Sequence, residues 1–340
     1  MKVCEIKNTF GIDNLLLSER PKPSAGYGEI ILKVRAVSIN YRDLLVIKGL
    51  YNPKLHLPVI PFSDGAGDVV AVGEGVTRVK VGDRVAGIFM QNWQAGELNE
   101  VKAKSALGGD LDGMLAEYVA LHEDGVVHIP EHLSYEEAAT LPCAAVTAWH
   151  AVIESNLKSG GSVLLQGTGG VSLFALQFAR MAGARVIITS RSEEKLARAK
   201  ELGATDGINY ESVPEWSSRV WELTDKMGVD LVVDVGGAGT LPQSLRAVRQ
   251  GGQISLIGVL SGTAGEINPL PVIMKEIRLQ GILVGSREMF EAMNKAISLH
   301  RLHPVLDRIF PFEDTMEALR YMESGRHFGK ICIMLPAIST

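Results

Sequence analysis

The chain has 340 residues, with 34 Lys and Arg against 39 Asp and Glu, a formal net charge of −5, and 46% hydrophobic residues. That weakly acidic balance argues against nucleic acid or an anionic membrane as the main partner, since both demand a basic surface; the length allows about two domains. Its 36 glycines exceed the roughly 24 expected at average usage, and without low-complexity runs the surplus points to tight turns and close backbone approaches.

Cys4, Cys143 and Cys332 are too few and too widely spaced for a disulfide framework, so reduced thiols in a cytoplasmic protein are expected. The opening MKVCEIKNTF lacks the apolar core of a secretory signal, and no run approaches the ~18 apolar residues of a membrane span.

The first third reads as β. Residues 29–39 (EIILKVRAVSI), 67–72, 83–89 and 115–121 are short β-branched runs separated by glycine-rich turns, which predicts a compact barrel-like domain. Residues 134–155 look helical, with Ser134 and Glu137 spaced as a capping box, and Pro142 should start a new helix inside that stretch.

Strand and helix then alternate. Strands are expected at 162–166, 184–189, 205–208, 230–235, 253–258 and 279–284, with helices at 171–182, 193–202, 215–226 and 241–249 between them. Such alternation predicts a parallel sheet covered by helices on both faces. The tail adds a helix at 288–300, a strand at 305–310, a helix at 313–323 and a strand at 330–334. With six strands already in the sheet, the tail is expected to rejoin the first domain. The expected division is therefore 1–125 completed by 286–340, and 126–285.

Gly167-Thr168-Gly169-Gly170-Val171-Ser172 follows a predicted strand and opens a predicted helix. The first glycine allows a tight turn, the second lets the backbone approach a pyrophosphate, and the helix start offers free N–H groups to the anion. Ser172 stands where a third glycine or alanine is usual. The second strand runs into Ser190-Arg191-Ser192 with no acid before Glu193. An NAD-selective site places an acid there for the ribose 2′-hydroxyl, whereas Ser190, Arg191 and Lys195 suit a 2′-phosphate. NADPH is expected over NADH.

On these features the chain resembles the medium-chain dehydrogenase/reductase superfamily, in its zinc-free, quinone oxidoreductase-like branch. Asn40-Tyr41-Arg42-Asp43, Asp64-Gly-Ala-Gly67, Gly82-Asp83-Arg84-Val85, Leu141-Pro-Cys143, Thr147-Ala-Trp149 and Phe328-Gly329-Lys330 carry the resemblance, with the glycine loop. It implies a GroES-like catalytic domain interrupted by a Rossmann domain. Catalytic-zinc positions in the superfamily correspond to Asn40, Ser63 and Cys143 here, of which only the last keeps a ligand, and 91–112 lacks the four cysteines of a structural zinc. No metal is expected. Cys143 reads as a small hydrophobe, and the pairs His128/His132 and His300/His303 read as surface groups.

Without a metal to polarise an isolated carbonyl, the expected acceptor spreads charge itself: a C=C bond conjugated to a carbonyl, or a quinone. Asn40, Tyr41 and Tyr51 are the candidate hydrogen-bond donors. Tyr51 reads equally as a proton donor or as a half-buried aromatic, and Asp43 either orients a neighbour or caps a turn. The resemblance further implies cofactor contacts at Tyr210, Gly236, Gly258, Val259, Gly285, Ser286 and Lys330, with Thr147 facing the nicotinamide. It also implies a homodimer joined at the 279–284 edge strand and a small-molecule substrate. An NADP-dependent alcohol or aldehyde oxidoreductase is the alternative, and a non-catalytic NADPH-binding sensor a second.

Overall fold

A computed structural model describes residues 1–155 and 157–336. The last four positions of the expected tail, 337–340, lie outside the described residues. The chain divides into two compact units, Met1–Val146 with the chain from Val284 on, and Thr147–Leu283.

In the first unit β1 (Lys2–Ile6) and β2 (Leu15–Glu19) form a two-stranded antiparallel ladder. There follow β3 (Glu29–Ser38), β4 (Asp64–Val72), β5 (Arg84–Gly87), β6 (Tyr118–His122) and β7 (Val126–His128). The second unit holds β8 (Ser162–Gln166), β9 (Arg185–Ser190), β10 (Asp206–Asn209), β11 (Val229–Asp234), β12 (Val248–Leu256) and β13 (Arg278–Gly281). The tail supplies β14 (Leu306–Pro311) and β15 (Lys330–Met334) to the first unit. Its sheet runs β14-β15-β3-β4-β5-β7, with β6 also on β3, so the tail strands pair within the first unit.

That sheet is mostly antiparallel and surrounds an aliphatic core of Ile30, Leu32, Val34, Val69, Val85, Leu121 and Ile333. Two differences from expectation share a cause. β7 pairs antiparallel with β5, and the Tyr135–Ala139 helix packs on β3 and β4. Both pairings keep 126–146 in the first unit, whose N-terminal stretch runs to Val146. The β1 and β7 pairings are long-range, and short strands of this kind carry little local pattern.

Across 134–155 the backbone is a capped helix (Tyr135–Ala139), a π-helical turn (Leu141–Ala145) and a helix (Val146–Val152). Pro142 sits at the start of the π turn, where its missing N–H costs nothing.

The second unit is a six-stranded sheet, parallel throughout, in the order β10-β9-β8-β11-β12-β13. Its strand order reverses between β8 and β11, and open α/β sheets of this order bind ligands at that reversal, beyond the carboxyl ends of the strands. Leu164, Ile187, Ile208, Val232 and Ile254 from successive strands pack with Trp216, Val220 and Leu245 from the helices. Among the described residues no helix is long and apolar enough to cross a membrane.

Candidate functional sites

In the second unit the loop after β8 sits at the reversal. Gly167 has φ 72°, in the left-handed region that glycine adopts without penalty. A Cβ added at Gly167 or Gly169 would meet nothing within 4 Å, so the loop faces open space on the side where a ligand backbone would lie. Gly169 is the N-cap of the Gly170–Met181 helix and offers no side chain to its first turn. Gly170 and Val171 therefore present first-turn N–H groups that have no partner within the helix. Buried Thr168 lies between the glycines. Ser172 donates to the Gln166 carbonyl at 2.6 Å, so the serine in the third glycine position ties the helix to the strand end.

At the end of β9 Ser190 is buried and accepts from the Ser192 N–H at 3.3 Å. Ser192 caps the next helix, accepting from the Lys195 N–H, and Arg191 is exposed between the two serines. Glu193, the first acid after the strand, is held by the Asn209 amide at 2.7 Å. Tyr210 is partly exposed, its N–H on the Ser190 carbonyl.

Gly236 and Gly258 are required by packing: a Cβ at the first would lie 2.4 Å from Thr240 Oγ1, at the second 2.4 Å from the Val235 carbonyl. Val259 is exposed beside them. The residue that organises this loop is Asp234, which the sequence did not single out. It accepts from Gln166 Nε2 (3.1 Å), Ser244 Oγ (2.6 Å), Thr240 Oγ1 (2.7 Å) and the N–H groups of Gly236 and Gly237 (3.0 Å each). One buried carboxylate thus fixes the β11 loop and, through Gln166, the end of β8. Thr147 is buried on the Val146–Val152 helix.

The first unit gathers a different set. Asn40 caps the Tyr41–Ile47 helix, and its N–H donates to Asp43 Oδ2 at 2.8 Å, so Asp43 closes the turn. Asp43 is completely buried; its Oδ1 makes no hydrogen bond, and the Arg42 guanidinium stands 3.8 Å away. Burial pushes its carboxyl up to about 6, against the pull of Arg42.

Lys330, only 3% exposed, donates from Nζ to the Ile39 carbonyl (2.7 Å) and to Asn40 Oδ1 (2.6 Å). The ammonium thus spends two of its three hydrogens inside this cluster. Asn40 Nδ2 faces Ser63 Oγ at 3.5 Å, and Ser63 in turn donates to Asp64 Oδ1 at 2.7 Å. Asp64, also fully buried, takes the Cys143 N–H on Oδ2 at 3.0 Å. Burial raises its carboxyl, opposed by Lys330 and by hydrogen bonds from Asn40 and Ser63.

Asn40, Ser63 and Cys143 are therefore brought together, around Asp64. Their chemistry is that of a hydrogen-bond network: an amide held by an ammonium, a hydroxyl bound to a carboxylate, and a thiol. Burial and the Asp64 charge push that thiol well above the ordinary range. Among the described residues no group of three or more His, Cys, Asp and Glu is placed to hold a metal ion.

Tyr41 and Tyr51 are 41% and 51% exposed, so neither phenol is buried. Arg42 lies between the rings of Tyr51 and Phe89, with centroid distances of 5.2 and 4.8 Å, and donates to the Leu107 carbonyl. Gly285 is held glycine by Val146 Cγ1, 2.5 Å from where its Cβ would stand, and Ser286 caps the Arg287–His300 helix. His303 meets Glu137 at 2.7 Å and the edge of the His132 ring.

Two family models match, an alcohol dehydrogenase GroES-like domain over residues 26–131 and a zinc-binding dehydrogenase over residues 170–298. A zinc-type alcohol dehydrogenase-like protein of Schizosaccharomyces pombe is 44% identical over 333 residues, 96% of each chain. A solved NAD-dependent alcohol dehydrogenase is 33% identical with a TM-score of 0.91, covering 99% of this chain and 100% of its own. The solved quinone oxidoreductase of Coxiella burnetii is 27% identical with a TM-score of 0.80, covering 99% of each.

Proposed function

The chain belongs to the medium-chain dehydrogenase/reductase superfamily, and from that premise we propose that this oxidoreductase is an NADPH-dependent reductase of quinones or carbonyl-conjugated C=C bonds that works without zinc. The observation that carries the reading is the Lys330–Asn40–Ser63–Asp64 network, which ties up Asn40 and Ser63, two of the three positions that correspond to the superfamily's metal ligands. A catalytic zinc needs three protein ligands and an open position. An amide and a hydroxyl supply neither of the other two ligands, and Cys143 alone does not make the set.

The Met1–Val146 unit with its C-terminal strands is assigned as the catalytic domain, and Thr147–Leu283 as the dinucleotide domain. The open face at Gly167 and Gly169 and the uncapped start of a twelve-residue helix suit a pyrophosphate. Exposed Arg191, with Ser190 beside it and Glu193 drawn off by Asn209, suits a 2′-phosphate. Lys195, Tyr210, Val259 and the glycines of the β8, β11 and β12 loops complete the assigned cofactor surface of that unit, with Thr147 assigned to the nicotinamide; Gly285 and Ser286, in the first unit, are assigned as cofactor contacts on the resemblance alone.

Bound NADPH supplies a hydride. The protein's task is then to receive charge on the acceptor's oxygen, with donors that carry no charge of their own to desolvate. Tyr51 and Tyr41 are exposed enough to reach a ligand directly, and Asn40 offers its Nδ2 hydrogens. Asp43 holds Asn40 in place. Small-molecule substrates, a cytoplasmic setting and a homodimer complete the proposal. For the dimer, every residue of the edge strand β13 is exposed, next to exposed Ile273, Met274 and Leu283.

NADPH oxidation against a panel of enones, enals and quinones tests the reading. Turnover that survives chelation is expected; saturable NADPH binding with no acceptor reduced would refute it and favour a sensor. The NAD-dependent alcohol dehydrogenase neighbour and the zinc-type relative favour a second reading, alcohol–aldehyde oxidation. Activity on alcohols that a chelator abolishes and zinc restores would establish it.

A further inference from the structure

We propose that Lys330 is a positioning residue: its buried ammonium fixes the Asn40 amide with Oδ1 turned to the lysine and Nδ2 left as the donor, so that Lys330 acts on hydride transfer through Asn40. The inference rests on the reading of Asn40 as a donor to the acceptor's oxygen.

A carboxamide has two ends of nearly equal size and opposite hydrogen-bonding sense, so its orientation is decided by its partners. An ammonium only donates. At 2.6 Å from Asn40, Lys330 Nζ can be satisfied by Oδ1 and not by Nδ2. The geometry around this contact is fixed from both sides. β15 pairs antiparallel with β3, the Ile39 N–H donates to the Ile331 carbonyl at 3.0 Å, and the Ile39 carbonyl takes a second hydrogen from Nζ at 2.7 Å. Two adjacent backbone segments therefore aim the ammonium at one atom.

The opposite end of the amide is less committed. Because the Ser63 hydroxyl is spent on Asp64, its oxygen can only accept from Nδ2, and at 3.5 Å that contact lies at the outer limit of a hydrogen bond. An arriving carbonyl or quinone oxygen would displace it at little cost. Asn40 keeps 7% exposure, and the Lys330 contact on Oδ1 holds the amide while that exchange occurs. Buried Asp43 and Asp64 supply the negative charge that keeps a buried ammonium tolerable.

The test compares Lys330→Met and Lys330→Arg with the unaltered protein, and repeats Lys330→Met in an Asn40→Ala background. With the best acceptor from the panel, Lys330→Met should lower kcat about 10- to 100-fold while the KM for NADPH stays within about threefold, and Lys330→Arg should restore most of kcat. In the Asn40→Ala background the same change should cost nothing further, because the lysine acts through that amide. Hydrogen exchange of the Asn40 side-chain amide, followed by nitrogen-15 spectroscopy without cofactor or acceptor, should quicken about tenfold in Lys330→Met.

A rise in the KM for NADPH at unchanged kcat would make Lys330 a cofactor contact and overturn the proposal. So would an undiminished loss of kcat in the Asn40→Ala background. If the wild type reduces no acceptor, the functional reading fails on its own. The exchange measurement still decides the positioning, which fails if the Asn40 amide exchanges equally fast with and without the lysine.

Discussion

Replacing Arg191 by alanine separates the two nicotinamide cofactors. Arg191 follows the last residue of β9 and precedes the N-cap of a nine-residue helix, whose positive end lies close by. A guanidinium hydrogen bond to a phosphate contributes about 1.5–3 kcal/mol in a sheltered site. Arg191 is exposed, so solvent screening reduces this to about 1–2 kcal/mol. That converts to a roughly 5- to 30-fold weaker Kd for NADPH. NADH lacks the 2′-phosphate and should change less than about twofold.

Titration of cofactor fluorescence with each variant measures both constants. The difference should shrink between 0.05 and 1 M salt, as the screening length falls to about 3 Å. Equal losses for NADPH and NADH would refute the placement of the 2′-phosphate at Arg191. Preferential binding of NADH by the unaltered protein would refute the cofactor assignment itself.

Asp43 predicts a pH effect on stability. Burial pushes its carboxyl up to about 6, above the ordinary aspartate value of about 3.9, so across that window the folded chain holds a proton that the unfolded chain has lost. Stability from this group is present below about 4 and falls as pH rises through 6. Asp43→Asn keeps an acceptor for the Asn40 N–H and should gain on the wild type by up to about 3 kcal/mol between pH 4 and 7 in urea melts; a gain in the opposite direction would contradict the burial argument. Ser172→Ala leaves the Gln166 carbonyl without its 2.6 Å partner and should cost about 1 kcal/mol in the same melts. Leu279→Lys with Ile273→Lys places charge on the exposed β13 edge and should convert a dimer to a monomer in sedimentation velocity, with the melting temperature of the monomer little changed. A wild-type monomer at micromolar concentration would remove the basis for that prediction.

What could be read from the sequence was whatever has a short-range physical requirement. Gly167 and Gly169 show in the chain because a strand, a left-handed turn and a helix start must follow one another within six residues. Ser134 and Glu137 show because a capping box spans one turn, and Pro142 because its ring tolerates only a helix start. The Lys330–Asn40 contact joins positions 290 apart, and neither residue alone reveals which end of an amide faces which ion. The resemblance, through Phe328-Gly329-Lys330, implies only that Lys330 is a cofactor contact; that β15 delivers it to the end of β3 is visible in the strand pairing alone. Asp234 is only half legible for a related reason: four of its five partners lie within ten residues of it, but the fifth, Gln166, reaches it only through the pairing of β8 with β11. A motif thus locates a site when the chemistry needs consecutive residues. Where the chemistry needs a charge delivered from a distant strand, the pairing of strands locates it, and β15 on β3 is the pairing that matters here.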